Sequence, residues 1–442
     1  ACGYVYANLL GNEAGRVIYD GGTVIACGGE YVAEGRRFSF RDHLVTGATI
    51  DLHRTRLHRA RQVSHRPLVG EPGELTVRRG FLPEWRGPYT TPASSGDEAP
   101  DRKEEEFLRA VALGLFDYLR KSRSGGFVVS LSGGADSAAV SVLVKAMVDL
   151  AVAEIGEDGF RERQSHIPLR EGPLMAQILA CVYQATRNSS ETTRHAAETV
   201  ARAIGADYQE WDIDALVEGY RSRVEKGIGR ALSWETDDIA LQNIQARVRS
   251  PGVWMLTNLR NALLLSTSNR SEAAVGYATM DGDTSGGLSP IAGIDKAFLR
   301  HWLRWMETEG LPPAVPPIPG LRAVNVQAPT AELRPGGSGQ TDEADLMPYP
   351  ILDLIEKHAI RDKKLPLEVW QLLCEAHPDT DPATLKGWVA KFFRLWTRNQ
   401  WKRERYAPCF HVDDKNLDPR TWCRFPILSS GFQDELAELE GA

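Results

Sequence analysis

This sequence lacks the features that would send a protein into or across a membrane. It contains no run of about 18 apolar residues, and residues 1–10 have neither the basic start nor the apolar core of a signal peptide. Its six cysteines are scattered, with neither the paired spacing of a metal site nor that of a disulfide framework. We therefore expect a cytoplasmic protein that contacts no membrane and keeps its thiols reduced.

A surplus of basic residues is also missing. The chain has 59 Asp and Glu against 52 Lys and Arg, a formal net charge of −7, whereas a general nucleic-acid binder needs a basic face. Two basic clusters, Arg54–Arg61 and Lys402–Arg405, are interpreted as solvated faces or local anion sites. We expect no nucleic-acid partner.

The length of 442 residues predicts two or three domains. Residues 1–62 show a pattern of short strands and turns, residues 63–98 are a proline-rich linker, and residues 99–442 form the main domain. The main domain has predicted strands at 126–131, 176–183, 208–213 and 262–266, and helices at 103–120, 138–150, 191–204 and 238–259, the last interrupted at Pro251. This alternation predicts an α/β fold with a parallel sheet that binds ligands at the carboxyl ends of its strands.

Between the first strand and helix of that domain lies Ser132–Ser137, which reads Ser-Gly-Gly-Ala-Asp-Ser. The glycines let backbone N–H groups converge, and the helix N-terminus adds positive potential, so the loop is suited to phosphate. It is not a Walker A loop, because the Gly-Lys-Ser/Thr ending is missing. The missing lysine suggests that the loop holds a pyrophosphate that leaves. The alternative is a glycine turn capped by Asp136 and Ser137.

The loop resembles the Ser-Gly-Gly-x-Asp-Ser motif of N-type ATP pyrophosphatases, which cleave ATP to AMP and pyrophosphate. The resemblance implies a Rossmann-like (adenine nucleotide alpha hydrolase-like) parallel sheet with helices on both faces. It does not name the second substrate, since GMP synthetase and other adenylating enzymes share the motif. The ATP contacts it implies are Ser130, Ser132, Gly133, Gly134, Asp136 and Ser137.

Residues 267–277, Thr-Ser-Asn-Arg-Ser-Glu-Ala-Ala-Val-Gly-Tyr, resemble the second signature of NAD synthetases. Asn269 is predicted to cap a helix that carries Glu272 in its first turn. Glu272 and Asp136 would then hold Mg²⁺ against the ATP phosphates, because carboxylate and phosphate oxygens are ligands that Mg²⁺ favours. The alternative is that Glu272 only complements the helix dipole.

Further stretches are similar to the same family. Residues 243–249 imply that Asn243 and Arg247 contact deamido-NAD, and residues 400–405 imply that Lys402 approaches a substrate phosphate. Residues 329–333 and 340–343 resemble a loop that closes over ATP. Each basic residue alone could equally form a surface salt bridge, but the ordered set favours the family. The resemblance assigns catalytic roles to Asp136, Glu272, Asp283 and Lys296, and ATP contacts also to Thr267, Lys296 and Thr330.

The implied reaction is the ATP-dependent amidation of deamido-NAD to NAD through an acyl-adenylate, with Asp283 orienting or deprotonating ammonium. The expected assembly is a homodimer or higher homo-oligomer. Another adenylating amidase, such as a GMP synthetase, and a non-catalytic nucleotide-sensing subunit remain as alternatives.

Residues 1–62 resemble the end of the nitrilase-like glutaminase domain of glutamine-dependent NAD synthetases, as a partial α/β sandwich remnant. Met280-Asp281 and Gly286-Gly287 also follow the glutamine-dependent bacterial variant of the family. The catalytic glutamate, lysine and cysteine of that domain are expected upstream, in a half supplied as a separate or cleaved chain, and Cys27 is assigned to the core. The expected nitrogen source is therefore ammonia, or glutamine only if that half is supplied.

Overall fold

The structure is a computed structural model that describes residues 2–13, 15–61, 102–327, 333 and 342–442. The predicted linker at 63–98 and the predicted ATP contact Thr330 lie outside the described residues. The chain divides into two compact units, one from residues 1–11 and 19–102 and the other from 12–18 and 103–442. Residues 12–18 thus belong to the larger unit, although the sequence places them with the N-terminal piece.

The smaller unit contains a three-stranded antiparallel sheet. The elements before residue 62 are β1 (Gly3–Ala7), β2 (Leu10–Asn12), β3 (Ile18–Asp20), β4 (Thr23–Cys27), β5 (Glu30–Glu34) and α1 (Leu52–Arg61), and the sheet has the order β1-β4-β5. Cys27 is buried as predicted, with its Sγ 3.3 Å from Thr55 Oγ1. These few elements are not enough to define a nitrilase-like fold. The assignment of residues 1–62 to such a domain therefore stays a prediction.

The larger unit is built on a parallel sheet of four strands in the order β8-β7-β6-β9. The strands are β6 (Phe127–Ser130), β7 (Leu179–Ala185), β8 (Asp207–Asp212) and β9 (Leu263–Leu265). The helices up to the second signature are α2 (Arg102–Ser122), α3 (Ala135–Arg163), α4 (Leu174–Ile178), α5 (Glu191–Ile204), α6 (Asp214–Ile228), α7 (Asp238–Leu259) and α8 (Arg270–Val275). Those that follow are α9 (Lys296–Thr308), α10 (Arg322–Asn325), α11 (Asp342–Asp345), α12 (Tyr349–Glu356), α13 (Pro366–Ala376), α14 (Pro382–Arg398), α15 (Gln400–Arg403) and α16 (Gln433–Gly441).

Helices cover both faces of this sheet. Val128, Val182 and Leu264 pack on one face with Val253 of α7. Since side chains alternate along a strand, Cys181 points the other way, where its Sγ lies 3.7 Å from Ser141 Oγ of α3. The predicted parallel sheet flanked by helices is therefore confirmed. None of the helices in the described ranges is long and apolar enough to cross a membrane.

Three local predictions are wrong. Residues 52–61 form helix α1, where the sequence pattern indicates strands and turns. Residues 176–178 are helical, and the strand begins at Leu179 and continues to Ala185, because a short apolar run does not distinguish a buried helix from a buried strand. Helix α7 is not interrupted at Pro251. Proline removes one backbone hydrogen bond, but the flanking Val248 and Val253 are both buried, so tertiary packing holds the helix together.

Candidate active site

A cavity of about 250 Å³ opens at the carboxyl ends of β6, β7 and β9. This is where a parallel α/β sheet is expected to bind its ligands. The predicted site residues that line it are Ser130, Ser132, Gly134, Asp136, Ser137, Thr267, Glu272, Asp283 and Lys296. The structure thus brings together residues that are up to 166 positions apart (130 to 296) in the sequence.

The glycine-rich loop turns sharply between β6 and α3. Gly133 has φ +81°, and a Cβ there would come within 2.0 Å of the Thr193 carbonyl oxygen, so only glycine fits. Ser132 Oγ accepts the Gly134 N–H at 3.3 Å and lies 3.1 Å from Ser137 Oγ. These contacts hold the loop so that the amino end of α3, with its positive potential, borders the cavity.

Two carboxylates and one ammonium group meet beside this loop. Lys296 Nζ donates to Glu272 Oε1 at 3.0 Å and to Asp136 Oδ2, and Lys296 is only 3% exposed. Asn269 caps α8 as predicted, with its Oδ1 accepting the Glu272 N–H at 3.0 Å. The same side chain donates from Nδ2 to Asp136 Oδ1 at 3.1 Å. Asn269 therefore fixes Asp136 and Glu272 relative to each other.

A third carboxylate, Asp342, lies in the same wall of the cavity. The sequence pointed to residues 340–343 without singling out Asp342, whose Oδ2 accepts from Tyr349 OH at 3.2 Å. Burial raises the pKa of Glu272, Lys296 opposes this, and Asp136 and Asp342 add to it by repulsion. Burial by itself would lower the pKa of Lys296, but the surrounding carboxylates raise it above its ordinary value. Three acids around one lysine leave a local surplus of negative charge.

That surplus and the oxygen ligands fit a hard divalent cation such as Mg²⁺. Asp136 and Glu272 are the residues that would hold it. Among the described residues, no group of three or more His, Cys, Asp or Glu side chains could hold a metal ion with protein ligands alone. The phosphate oxygens of a nucleotide would have to complete the coordination.

Asp283 faces the cavity from the segment that follows α8. Its Oδ1 accepts the Thr279 N–H at 2.8 Å. Asp283 is exposed to the cavity, and desolvation by the protein around it raises its pKa to about 6, against the opposing effects of its hydrogen bonds and of Lys402. Such a carboxylate can accept a proton near neutral pH.

The three predicted substrate contacts do not line the cavity. Arg247 Nε donates to the Met280 carbonyl oxygen at 3.0 Å, and Lys402 Nζ donates to that of Ala278 at 2.8 Å. Asn243 accepts a hydrogen bond from the Thr279 hydroxyl group at 2.9 Å. All three therefore hold the segment that precedes Asp283.

Sequence reasoning missed several further cavity residues, among them Arg249 and Gln184. Arg249 lines the cavity, and one of its amino groups donates to the Gln245 carbonyl oxygen at 3.1 Å. Arg247 is two positions away and points elsewhere, and in a helix residues that share a face are three or four positions apart. Gln184, whose Nε2 donates to Ser130 Oγ at 3.1 Å, ends a strand beside the cavity, so its position could have indicated it.

The fold and this cavity define an α/β protein of the nucleotide-binding class, with a phosphate-type loop beside paired carboxylates. The family described as NAD synthase matches residues 107–386. The chain belongs to this family of enzymes.

Individual relatives agree with the family assignment. The chain is 32% identical to a glutamine-dependent NAD(+) synthetase from Oryza sativa subsp. indica, covering 93% of this chain and 60% of the rice protein. A glutamine-dependent NAD(+) synthetase from Cytophaga hutchinsonii, known from a crystal structure, has 42% sequence identity to this chain. The two structures match with a TM-score of 0.78 over 99% of this chain and 65% of that one. A glutamine-dependent NAD+ synthetase from Acinetobacter baumannii, solved with ADP, is 20% identical with a TM-score of 0.51, over 96% of this chain and 61% of that one, and shows the fold alone. The chain thus spans about three fifths of the length of these relatives.

Proposed function

We propose that this chain forms NAD from deamido-NAD, ATP and ammonia, with AMP and pyrophosphate as the other products. The observation that carries the proposal is the convergence of the glycine-rich loop, Asp136, Glu272 and Lys296 on one cavity. Membership in the NAD synthase family favours this reaction over that of a GMP synthetase. The intact pair of carboxylates favours an enzyme over a nucleotide-sensing subunit.

In the first step, the nicotinate carboxylate attacks the α-phosphorus of ATP, and the bond to the β-phosphate breaks. Ser132, Gly134 and the amino end of α3 border the cavity, where they would stabilise the leaving pyrophosphate. Mg²⁺, when held by Asp136 and Glu272, supplies charge neutralisation and polarises the phosphate oxygens. Lys296 adds a fixed positive charge that burial shields from water.

In the second step, ammonia attacks the carbonyl carbon of the acyl-adenylate, and AMP leaves with one carboxylate oxygen. Asp283 is positioned to accept the proton that the nitrogen loses, since its raised pKa keeps it a usable base near neutral pH. Asn243, Arg247 and Lys402 act through the segment that carries Asp283.

The decisive test is exchange of labelled pyrophosphate into ATP by the purified 442-residue chain. We expect exchange only when deamido-NAD is present, because the first step is reversible and needs the carboxylate. Exchange that depends on xanthosine monophosphate instead would favour a GMP synthetase. Absence of exchange together with tight ATP binding would favour the sensing subunit.

We further propose that the described smaller unit does not hydrolyse glutamine, so that nitrogen enters the reaction as free ammonia unless a glutaminase domain releases it from glutamine. The relatives above are named glutamine-dependent. Within the smaller unit, however, Cys27 is buried against Thr55, which leaves it a poor nucleophile for glutamine. Strand β1 is exposed along its whole length, and among the described residues its one strand partner is β4, so it offers an edge to further protein. Glutamate release from glutamine by the isolated chain would contradict this.

We also propose a homodimer as the active unit, since the family resemblance places the deamido-NAD site between two synthetase domains. Helix α6 has no buried residue. Leu216, Tyr220, Val224 and Ile228 recur every four residues on it and are 49 to 56% exposed. Such an apolar stripe is typical of a surface that a second copy covers.

A further inference from the structure

We infer that Arg270 is a positioning residue, which fixes the carboxylate and lysine cluster of the active site without touching substrate. The inference rests on the proposed function and deepens it. Arg270 is fully buried, at 0% exposure, and is not among the residues that line the cavity. It lies between Asn269, which bonds Asp136, and Glu272, which bonds Lys296.

Every N–H group of the Arg270 guanidinium has an acceptor. A guanidinium group carries five N–H donors in a rigid plane. Nε donates to Glu356 Oε2 at 2.9 Å, and the terminal nitrogens donate to the Gly293 carbonyl oxygen and to three further carboxylates. These carboxylates belong to Asp295 (3.1 Å), Asp353 (3.0 Å) and Asp413. Full saturation fixes both the position and the plane of the group.

The acceptors come from three separate segments of the larger unit. Asp295 is the residue before α9, Asp353 and Glu356 belong to α12, and Asp413 lies in the C-terminal segment. Arg270 therefore joins α8 to each of these segments at one point. The acceptors lie 23 to 143 positions away from Arg270 in the sequence.

The link to α9 bears directly on the active site. Asp295 also caps α9, accepting the Phe298 N–H at 2.7 Å, and Lys296 is the first residue of that helix. Ser271 Oγ accepts the Lys296 N–H at 3.1 Å. Arg270 thus holds the start of α9 against the start of α8, which sets the distance between the Lys296 ammonium and the Glu272 carboxylate.

Stability alone is a weak reason for this arrangement. Buried ion pairs cost much desolvation and are often replaceable by apolar packing. The cluster contains four carboxylates and two basic groups, Arg270 and Lys415. Lys415 donates a hydrogen bond to Asp353. Glu356 Oε1 has no hydrogen-bond partner within the described ranges, and burial raises the pKa of this carboxyl group to about 7. The cluster supplies a fixed geometry. The planar guanidinium group of arginine specifies this geometry better than the ammonium group of lysine would.

The test is Arg270→Lys, which keeps the charge but cannot reach all three segments. We expect kcat of NAD formation to fall by about a hundredfold, the effect of misplacing reacting groups by about 1 Å, while KM for ATP and deamido-NAD changes less than about threefold. The matched control is Arg260→Lys, at a partly exposed arginine that pairs with Asp207. The control should retain kcat.

A second variant covers the case in which Arg270→Lys does not fold. Glu356→Gln keeps the shape of the side chain and one of its oxygen acceptors. We expect it to lower kcat about tenfold and to leave the unfolding midpoint unchanged. Unchanged kcat in a folded Arg270→Lys, or in Glu356→Gln, overturns the inference, as does a loss that only follows the unfolded fraction. A wild-type chain that forms no NAD overturns the proposed function instead.

Discussion

Glu272 has two competing interpretations, and a single substitution separates them. If it stabilises charge in the active site, Glu272→Gln lowers turnover by at least about a hundredfold. Stability should not fall, because the change removes repulsion with Asp136 and Asp342. If the carboxylate only complements the helix dipole, activity stays normal and unfolding loses about 0.3–1 kcal/mol.

The control for this comparison is Glu191→Gln, in the first turn of α5 and exposed to solvent. It removes the same kind of helix-dipole contact at a residue that does not line the cavity. Steady-state kinetics and urea unfolding of both variants give the answer. A Glu272 variant with normal kcat and lowered stability would refute the active-site role.

Asp283 gives the reaction a defined pH dependence. Its pKa is raised from 3.8 to about 6, so the carboxylate is ionised above that pH. At a fixed concentration of free ammonia, we expect the amidation rate to fall as the pH drops through about 6, and Asp283→Asn to be slow with no such fall. A raised acid pKa also means that the folded state loses stability as the pH rises from 3.8 to about 6. An identical pH profile in the variant would exclude Asp283 as the base.

Among single residues, the sequence predicted those that follow from short motifs. Asn269 caps its helix, and the loop and Glu272 reach one cavity, because these depend on local geometry. The partners of Arg270 could not be predicted, since they come from segments up to 143 positions away. Arg249 was missed because its helical face depends on how α7 packs on the sheet.

Among the elements, the glycine-rich loop contains a turn that requires glycine. Gly133→Ala adds a Cβ 2.0 Å from the Thr193 carbonyl oxygen on α5, at φ +81°. We expect KM for ATP to rise at least about tenfold and unfolding to lose about 1–3 kcal/mol, because strain at positive φ adds to the clash. The control is Gly156→Ala in α3, at φ +74° with nothing within 4 Å of the added Cβ. That variant should lose stability but keep its KM, and an equal KM in both variants would contradict the loop's role.

The alternation of strands and helices was predictable because apolar periodicity reports burial directly. The course of α7 through Pro251 was not, because the packing of Val253 against the sheet outweighs the local preference. The start of β7 was misplaced for a similar reason, since the apolar residues Ala176 and Ile178 suit a buried helix as well as a buried strand. Tertiary contacts decide both cases.

At the scale of the whole molecule, the apolar stripe on α6 predicts assembly. A Leu216→Asp, Val224→Asp double variant should sediment as a monomer and lose at least about tenfold in activity, because charge in a covered apolar surface costs desolvation. Leu428→Asp, at a leucine 98% exposed elsewhere, is the matched control and should remain a dimer. A wild-type monomer with full activity during the assay would refute the dimer.

In the proposed mechanism, the nicotinate carboxylate is adenylated before ammonia attacks. Deamido-NAD labelled with ¹⁸O in that carboxylate tests this order, by mass spectrometry of the products made with ATP and ammonium. The proposed mechanism transfers one labelled oxygen to AMP, retains the other in NAD and leaves pyrophosphate unlabelled. Label in inorganic phosphate together with ADP would contradict it, because the carboxylate would then have been activated by the γ-phosphate.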